Sequence, residues 1–246
     1  MALITGASSG IGAEVARQLA ALGFQVIAVA RRAEELAKLA AEPTRGAIIP
    51  LPGDVTDRSS MRELVERVER EYGAIALAFL NVGTYFPDSD DDLGGDGFRK
   101  TFAVNLDGTV NLIGPLVRVM KPRGRGQIAV NASVAGYGGL PRAIAYSSSK
   151  SALIAMCEAL KFDLDRLGIT IQVVCPGFVK TPLTDKNDFP MPFLISVEEA
   201  GKRILDGFQN GGFEIAFPKR MAWLLKFINM LPYSAYFALI SKTTGR

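Results

Sequence analysis

Histidine does not occur in this 246-residue sequence. Its absence removes the side chain most often used as a general base near neutrality, the imidazole of serine-hydrolase triads and the commonest zinc ligand. Any proton carrier must therefore be Tyr, Lys, Asp, Glu or Cys. Cysteine is scarce: Cys157 and Cys175 are the only two. Their separation matches no metal-ligand or redox spacing, so two buried thiols in a reducing compartment are expected, and no metal site. A strong charge of one sign is also missing. The formal net charge is +3 and no dense Lys/Arg block occurs, which argues against a nucleic-acid partner. No basic leader precedes the short apolar start, and cytoplasmic residence is the expectation.

What is present is ordinary globular material. Hydrophobic residues make up 48% and charged residues 22%, enough apolar content to exclude a disordered chain. The length suits one α/β domain. Short apolar runs at Ala2–Ile4, Phe24–Ala30, Ala47–Leu51, Ile75–Leu80, Gln127–Ala132 and Ile169–Cys175 read as strands. Between them lie amphipathic stretches at Gly10–Leu22, Ala33–Ala41, Arg58–Tyr72, Gly97–Lys121 and Tyr146–Leu167. The long stretch predicts a helix kinked at Gly114-Pro115. Asp88 to Asp96 reads as a surface loop. Continuously apolar strands alternating with helices predict a doubly wound, mostly parallel sheet covered on both faces, a Rossmann-type α/β fold. We expect this domain to span residues 1–217, followed by an apolar helical tail over 218–246.

The segment Thr5-Gly6-Ala7-Ser8-Ser9-Gly10-Ile11-Gly12 follows the first strand and opens a helix. Gly6 suits a tight turn, Gly10 lets backbone approach a phosphate, and Gly12 permits close helix–strand packing. Ser8, Ser9 and Ile11 complete the candidate phosphate cradle. Arg31 and Arg32 stand at the end of the second strand, where a carboxylate would indicate NAD; a guanidinium instead fits the 2′-phosphate of NADP. NADP(H) is thus the expected cofactor, with NAD(H) the alternative. Asp54, followed by Val55, stands beyond the third strand. It suits either an adenine amino group or the start of the following helix.

Tyr146 and Lys150 are four residues apart, which places phenol and ammonium on one helix face. An unperturbed tyrosine has a pKa of about 10, and a nearby cation lowers it. Ser133 lies just past the fifth strand, where a crevice is expected, and its hydroxyl can bond a substrate oxygen.

With these residues in order, the chain resembles the short-chain dehydrogenase/reductase family along nearly all of 1–217. The matching features are Thr5-Gly6-x-x-x-Gly10-x-Gly12, Asn81-Val82-Gly83, Asn105, Ser133, Tyr146-x-x-x-Lys150, and Pro176-Gly177 with Val179 and Thr181. Leu80 departs from the family's usual asparagine. The resemblance implies an enzyme interconverting a carbonyl and a secondary alcohol. Tyr146 would exchange the proton, Ser133 would orient the oxygen, and Lys150 would lower the Tyr146 pKa and bind the nicotinamide ribose. Asn105 would help hold a proton-relaying water. Asn81, Gly83 and Val179 would bind the cofactor, and Pro176, Gly177 and Thr181 would hold its nicotinamide end. It also implies a homodimer or homotetramer packed through Asn105–Lys121 and Tyr146–Leu167.

On the substrate side, an apolar lid is expected over about 181–197, including Phe189 to Ile195, and an apolar or lipid-like substrate with it. Tyr137, Leu140 and Pro141 are candidate pocket wall. From Lys219 to Arg246 there are five basic residues and no acidic one, and Met221–Ile240 is apolar apart from Lys226. This tail suits an arm packed on the protein or a partner subunit, an amphipathic hairpin on a membrane surface, or a bilayer span that Pro232 argues against. The rival functions are a non-catalytic NADP sensor and a membrane-associated scaffold.

Overall fold

The computed structural model describes residues 1–86, 94–186 and 190–244. Most of the expected 88–96 loop and Phe189 lie outside the described residues. Seven strands form one sheet: β1 (Ala2–Thr5), β2 (Gln25–Ala30), β3 (Ala47–Pro52), β4 (Leu77–Leu80), β5 (Gly126–Asn131), β6 (Ile169–Pro176) and β7 (Glu214–Phe217). Their order is β3-β2-β1-β4-β5-β6-β7, and every pairing is parallel. The order reverses direction between β1 and β4, so a crevice opens there at the carboxyl ends of the strands.

Successive strand residues serve opposite faces. Leu3 packs with Ile27, Val29, Ile128 and Val173; its neighbour Ile4 packs with Val26, Ala28, Ala129 and Val174. Burying each such Leu or Ile contributes ~1.5–3 kcal/mol. Helices α1 (Gly10–Ala21) and α2 (Ala33–Ala40) contribute to the second cluster, and α3 (Arg58–Glu71) to the first. Asp57 caps α3 by accepting from the Ser60 N–H, and Met61, Leu64, Val65 and Val68 form its buried stripe.

The expected helix over 97–121 is divided. Asp96–Phe102 (α4) runs into a π-helical turn at Ala103–Asp107 and then into α5, Gly108–Met120. The departure from α-helical geometry thus falls around Asn105, while Pro115 sits inside α5. A π turn widens the helix by one residue and is often found at functional positions. Helix α6 (Ile144–Arg166) begins two residues before Tyr146.

Beyond β6 come α7 (Val197–Asn210) and β7, neither expected from the sequence. Buried Gln172 on β6 ties both in place, donating to Gly207 O and Gly212 O at 3.0 Å each. The tail forms two helices, α8 (Lys219–Asn229) and α9 (Tyr233–Thr244), parted at Pro232. Among the described residues, no helix is long and apolar enough to cross a membrane.

Candidate active site

The crevice at the β1/β4 reversal is a cleft of about 460 Å³. Its floor follows from the glycine-rich turn. Gly6 and Gly10 have φ of +65° and +55°, a conformation that side chains rarely adopt. A Cβ on Gly12 would lie 2.4 Å from Gly6 O and 2.5 Å from Asn81 Nδ2, so only glycine lets α1 approach the strand this closely. The Ser9 side chain does not cap α1, which leaves the first-turn N–H groups to an incoming anion. Asn81 locks the turn to β4: its N–H donates to Thr5 Oγ1 at 3.0 Å and its Nδ2 to Thr5 O at 3.3 Å.

One end of the cleft is basic. The Arg32 guanidinium spans the turn, donating to Ser8 Oγ at 2.9 Å and Ser9 Oγ at 2.7 Å. Arg31 stands 3.9 Å from the Asp54 carboxylate. Asp54 Oδ1 accepts from the Thr56 N–H and hydroxyl at 3.0 and 2.8 Å. Of the two readings of Asp54, helix capping is excluded: Asp57 takes that role because it stands one residue before α3.

At the other end, Ser133 and Tyr146 line the same part of the cleft, with the Ser133 hydroxyl donating to Pro176 O at 3.3 Å. Lys150 Nζ lies 5.7 Å from the centre of the Tyr146 ring and donates to Asn131 O at 2.7 Å. Burial raises the Tyr146 pKa above its usual value, and the neighbouring Ser133 hydroxyl only partly offsets this. Burial also lowers Lys150 to about 8. The expected lowering of the Tyr146 pKa by Lys150 is therefore not seen: desolvation outweighs any help from a lysine committed to a carbonyl.

The cleft brings together Gly6, Ser8, Ser9, Gly10, Ile11, Arg31, Arg32, Asp54, Val55, Asn81, Gly83, Ser133, Tyr146, Lys150, Pro176, Gly177, Val179 and Thr181. Two expected site residues stand behind its wall. Gly12 is packed under the turn. Asn105 is fully buried; its Oδ1 accepts from Thr84 N–H at 2.8 Å, and its Nδ2 donates to Thr84 O and Ser149 Oγ at 3.1 Å each. Asn105 thus joins the strand-β4 loop to the helix of Tyr146 and Lys150.

Other wall residues had no spacing to reveal them. Thr84, Phe86, Lys100 and Val104 line the cleft. Tyr85 sets its ring edge-on to Tyr146, with centroids 5.6 Å apart. Its hydroxyl donates to Arg142 O at 3.0 Å, holding a residue whose φ is +60°.

Three expected wall residues are not among those lining the cleft. Tyr137 donates to Glu214 Oε1 at 2.8 Å, and Leu140 packs on Ile228, Tyr236 and Ile240. Both are turned to β7 and the tail, whose apolar inner face needs a partner. Pro141 also does not line the cleft. In the expected lid, Pro182, Leu183 and Thr184 line the cleft, whereas Phe193 and Leu194 are exposed. Both thiols are buried and pushed up to about 12 by burial, so neither supplies a thiolate near neutrality.

The residues present fit a nicotinamide dinucleotide. The glycine cradle would be filled by any side chain, and the buried Asn131 Oδ1 in the cleft wall lacks a hydrogen-bond donor. Fold and site together define a class: a doubly wound dinucleotide-binding oxidoreductase with tyrosine, lysine and serine at the reacting end. A short chain dehydrogenase family model matches residues 1–190, and the chain belongs to that family. It is 33% identical over 233 residues to an oxidoreductase of Myxococcus xanthus, covering 94% of this chain and 92% of that protein. Two solved structures share the fold. A short-chain dehydrogenase from Sphingobium yanoikuyae in complex with NADPH has a TM-score of 0.80 at 24% identity, over 99% of this chain and 93% of the other. A short chain dehydrogenase/reductase from Burkholderia phymatum in complex with NAD has a TM-score of 0.82 at 21% identity, over 92% and 91%.

Proposed function

We propose that the protein is an NADP(H)-dependent oxidoreductase that interconverts an apolar ketone and its secondary alcohol. The observation that carries this reading is the convergence of Ser133, Tyr146 and Lys150, the last one turn beyond Tyr146 on α6, in the same cleft as the Arg32-covered glycine turn. When bound, the cofactor supplies or accepts the hydride. Tyr146 gives its phenolic proton to the carbonyl oxygen as that oxygen gains charge. Burial keeps the phenol protonated at neutral pH, the form that reduction requires. Ser133 donates a hydrogen bond to the same oxygen and fixes its position. Lys150, at about 8, remains mostly charged at pH 7; it stabilises the phenolate left behind and binds the nicotinamide ribose. Asn105 acts as a positioning residue through Thr84 and Ser149.

Arg31 and Arg32 favour NADP(H) over NAD(H), because a 2′-phosphate would accept the donors that Arg32 now gives to Ser8 and Ser9 in a stronger, charge-assisted form. Phe86, Pro182 and Leu183 in the wall favour an apolar substrate. Val110 on α5 and Phe162 on α6 are 47% and 75% exposed, and covering them supports a homodimer or homotetramer built on these helices. Cytoplasmic residence accords with the two free thiols.

Mixing the protein with NADPH and a panel of aliphatic and aromatic ketones tests the reading. Ketone-dependent loss of reduced-cofactor absorbance is expected. Tyr146→Phe should lower it by about a thousandfold or more, the range of lost acid catalysis, with NADPH binding retained. Wild-type turnover in that variant would overturn the mechanism. Binding without turnover across the panel would favour the sensor alternative.

A further inference from the structure

The α8–α9 hairpin has one face committed to the protein and one that nothing among the described residues covers. Inward, Ala222, Ile228, Tyr236 and Ile240 are buried. The Tyr236 hydroxyl donates to Gly139 O at 2.5 Å, and Lys226 pairs with Glu214. The hairpin is therefore a docked element and not a loose arm. Outward, Trp223, Leu224, Phe227, Met230, Tyr233 and Phe237 are each 55–82% exposed. Trp223 and Phe227 share one face of α8 at i, i+4, and Tyr233 and Phe237 stack at 5.9 Å on α9. Soluble monomers rarely leave such a contiguous apolar surface to water.

Charge identifies the occupant. Lys219, Arg220 and Lys242 are exposed, and among the described residues none of them has an ion-pair partner. No acidic residue occurs from 219 to 246. A second copy seated face to face about a two-fold axis would bring these cations against a hairpin that carries no acidic side chain to meet them. An anionic bilayer meets both demands, with hydrocarbon for the aromatic and aliphatic side chains and head groups for the cations. Tryptophan and tyrosine favour that interface. The two helices, of 11 and 12 residues, suit lying in the surface plane.

We propose that the outer face of the α8–α9 hairpin is a peripheral docking surface for an anionic lipid bilayer. The hairpin rests on Gly138–Leu140, within the segment that joins Ser133 to the helix of Tyr146, and Met221 packs against Gly177. The docked side of the hairpin thus touches Gly177 of the cleft wall. This inference goes beyond the proposed reaction and stands without it.

Trp223 is the chain's only tryptophan, so its fluorescence reports on the hairpin directly. The full chain is mixed with phosphatidylcholine vesicles, either pure or containing about 30% phosphatidylserine, the lipid that gives inner leaflets their negative charge. A blue shift and co-flotation are expected only with the anionic vesicles, and both should weaken as salt is raised. Replacing Lys219, Arg220 and Lys242 together by Gln should reduce partition on the order of a hundredfold. Phe227→Ser with Phe237→Ser should abolish it, while NADPH binding is unchanged. These positions are exposed, so the variants keep the fold. Absence of both signals with the folded wild-type chain would overturn the proposal. So would partition that is indifferent to the charge and phenylalanine variants, or self-association through this face without vesicle binding.

Discussion

The arginine end of the cleft and the tyrosine end hold charge in opposite ways. Arg31 is 71% exposed and faces a carboxylate at 3.9 Å that is itself 42% exposed. Lys150 is 2% exposed and bonded to the Asn131 carbonyl. Water screens the first pair, so it adds little to stability and its side chains remain available to a phosphate. The second arrangement takes a cation out of water, which costs stability but holds the ammonium to one position. On the proposed function, the contrast separates recognition, which tolerates side-chain adjustment, from proton transfer, which does not.

The largest effect that sharpens this contrast should come from the rigid floor between the two ends. Gly12→Ala drives a Cβ to 2.4 Å from a backbone oxygen, and we expect a loss of roughly 3 kcal/mol of stability together with loss of NADPH binding. Thermal unfolding and cofactor titration measure these. A stable variant with intact binding would break the close-packing argument.

At the arginine end, Arg32→Ala should weaken NADPH binding by about 10–100-fold, the worth of one or two charge-assisted bonds. Melting temperature and NADH binding should change little. Equal weakening of both cofactors would remove the assignment of Arg32 to a 2′-phosphate and point to the shared pyrophosphate.

A third test concerns pH. Burial raises the Tyr146 pKa, so the phenol of the ligand-free chain stays protonated through neutrality and ionises above the ordinary tyrosine range. Phenolate ultraviolet absorbance, taken as the difference between wild type and Tyr146→Phe, reads this. Oxidised cofactor should bring the transition down, because it adds positive charge nearby. Ionisation near pH 7 without cofactor would show that Lys150 alone suffices. In the reductive direction, the rate should also fall as pH rises past about 8, where Lys150 loses its proton.

The smallest expected effect is at Tyr85. Tyr85→Phe removes the bond to Arg142 O while keeping the ring edge-on to Tyr146. A severalfold fall in kcat/KM is expected, corresponding to ~1 kcal/mol, with cofactor affinity unmoved. Unchanged kinetics on bulky and small ketones alike would deny Tyr85 any part in shaping the reacting end.

Much of the cleft was legible because its residues are ordered along the chain by the fold itself. A parallel sheet places each strand's carboxyl end at the same edge, so residues just past β1, β2, β3, β5 and β6 converge there. That is why Gly6, Arg32, Asp54 and Ser133 could be named from their places in the chain, whereas Gly177 was named through the family resemblance. Tyr85, Phe86 and Lys100 could not, since a loop and a short helix carry them and no period or turn chemistry marks them. Strand β7 was missed for a related reason: Glu214–Phe217 is only four residues long, and its place depends on Gln172 reaching across from β6. Tyr137 and Leu140 were misassigned because sequence proximity to Ser133 says nothing about the direction of a side chain.

Local chemistry by itself determined the wound α/β core, the glycine turn, the Tyr146–Lys150 spacing and the division of the tail at Pro232. Each depends on φ/ψ preference, helical period or strand burial, which act over a few residues. Only the tertiary structure decided the electrostatic state of Tyr146 and Lys150, the placement of Asn105 behind the wall, and which tail face remains outside. These depend on groups far apart in the chain, since desolvation and packing are properties of the surroundings that the whole fold assembles.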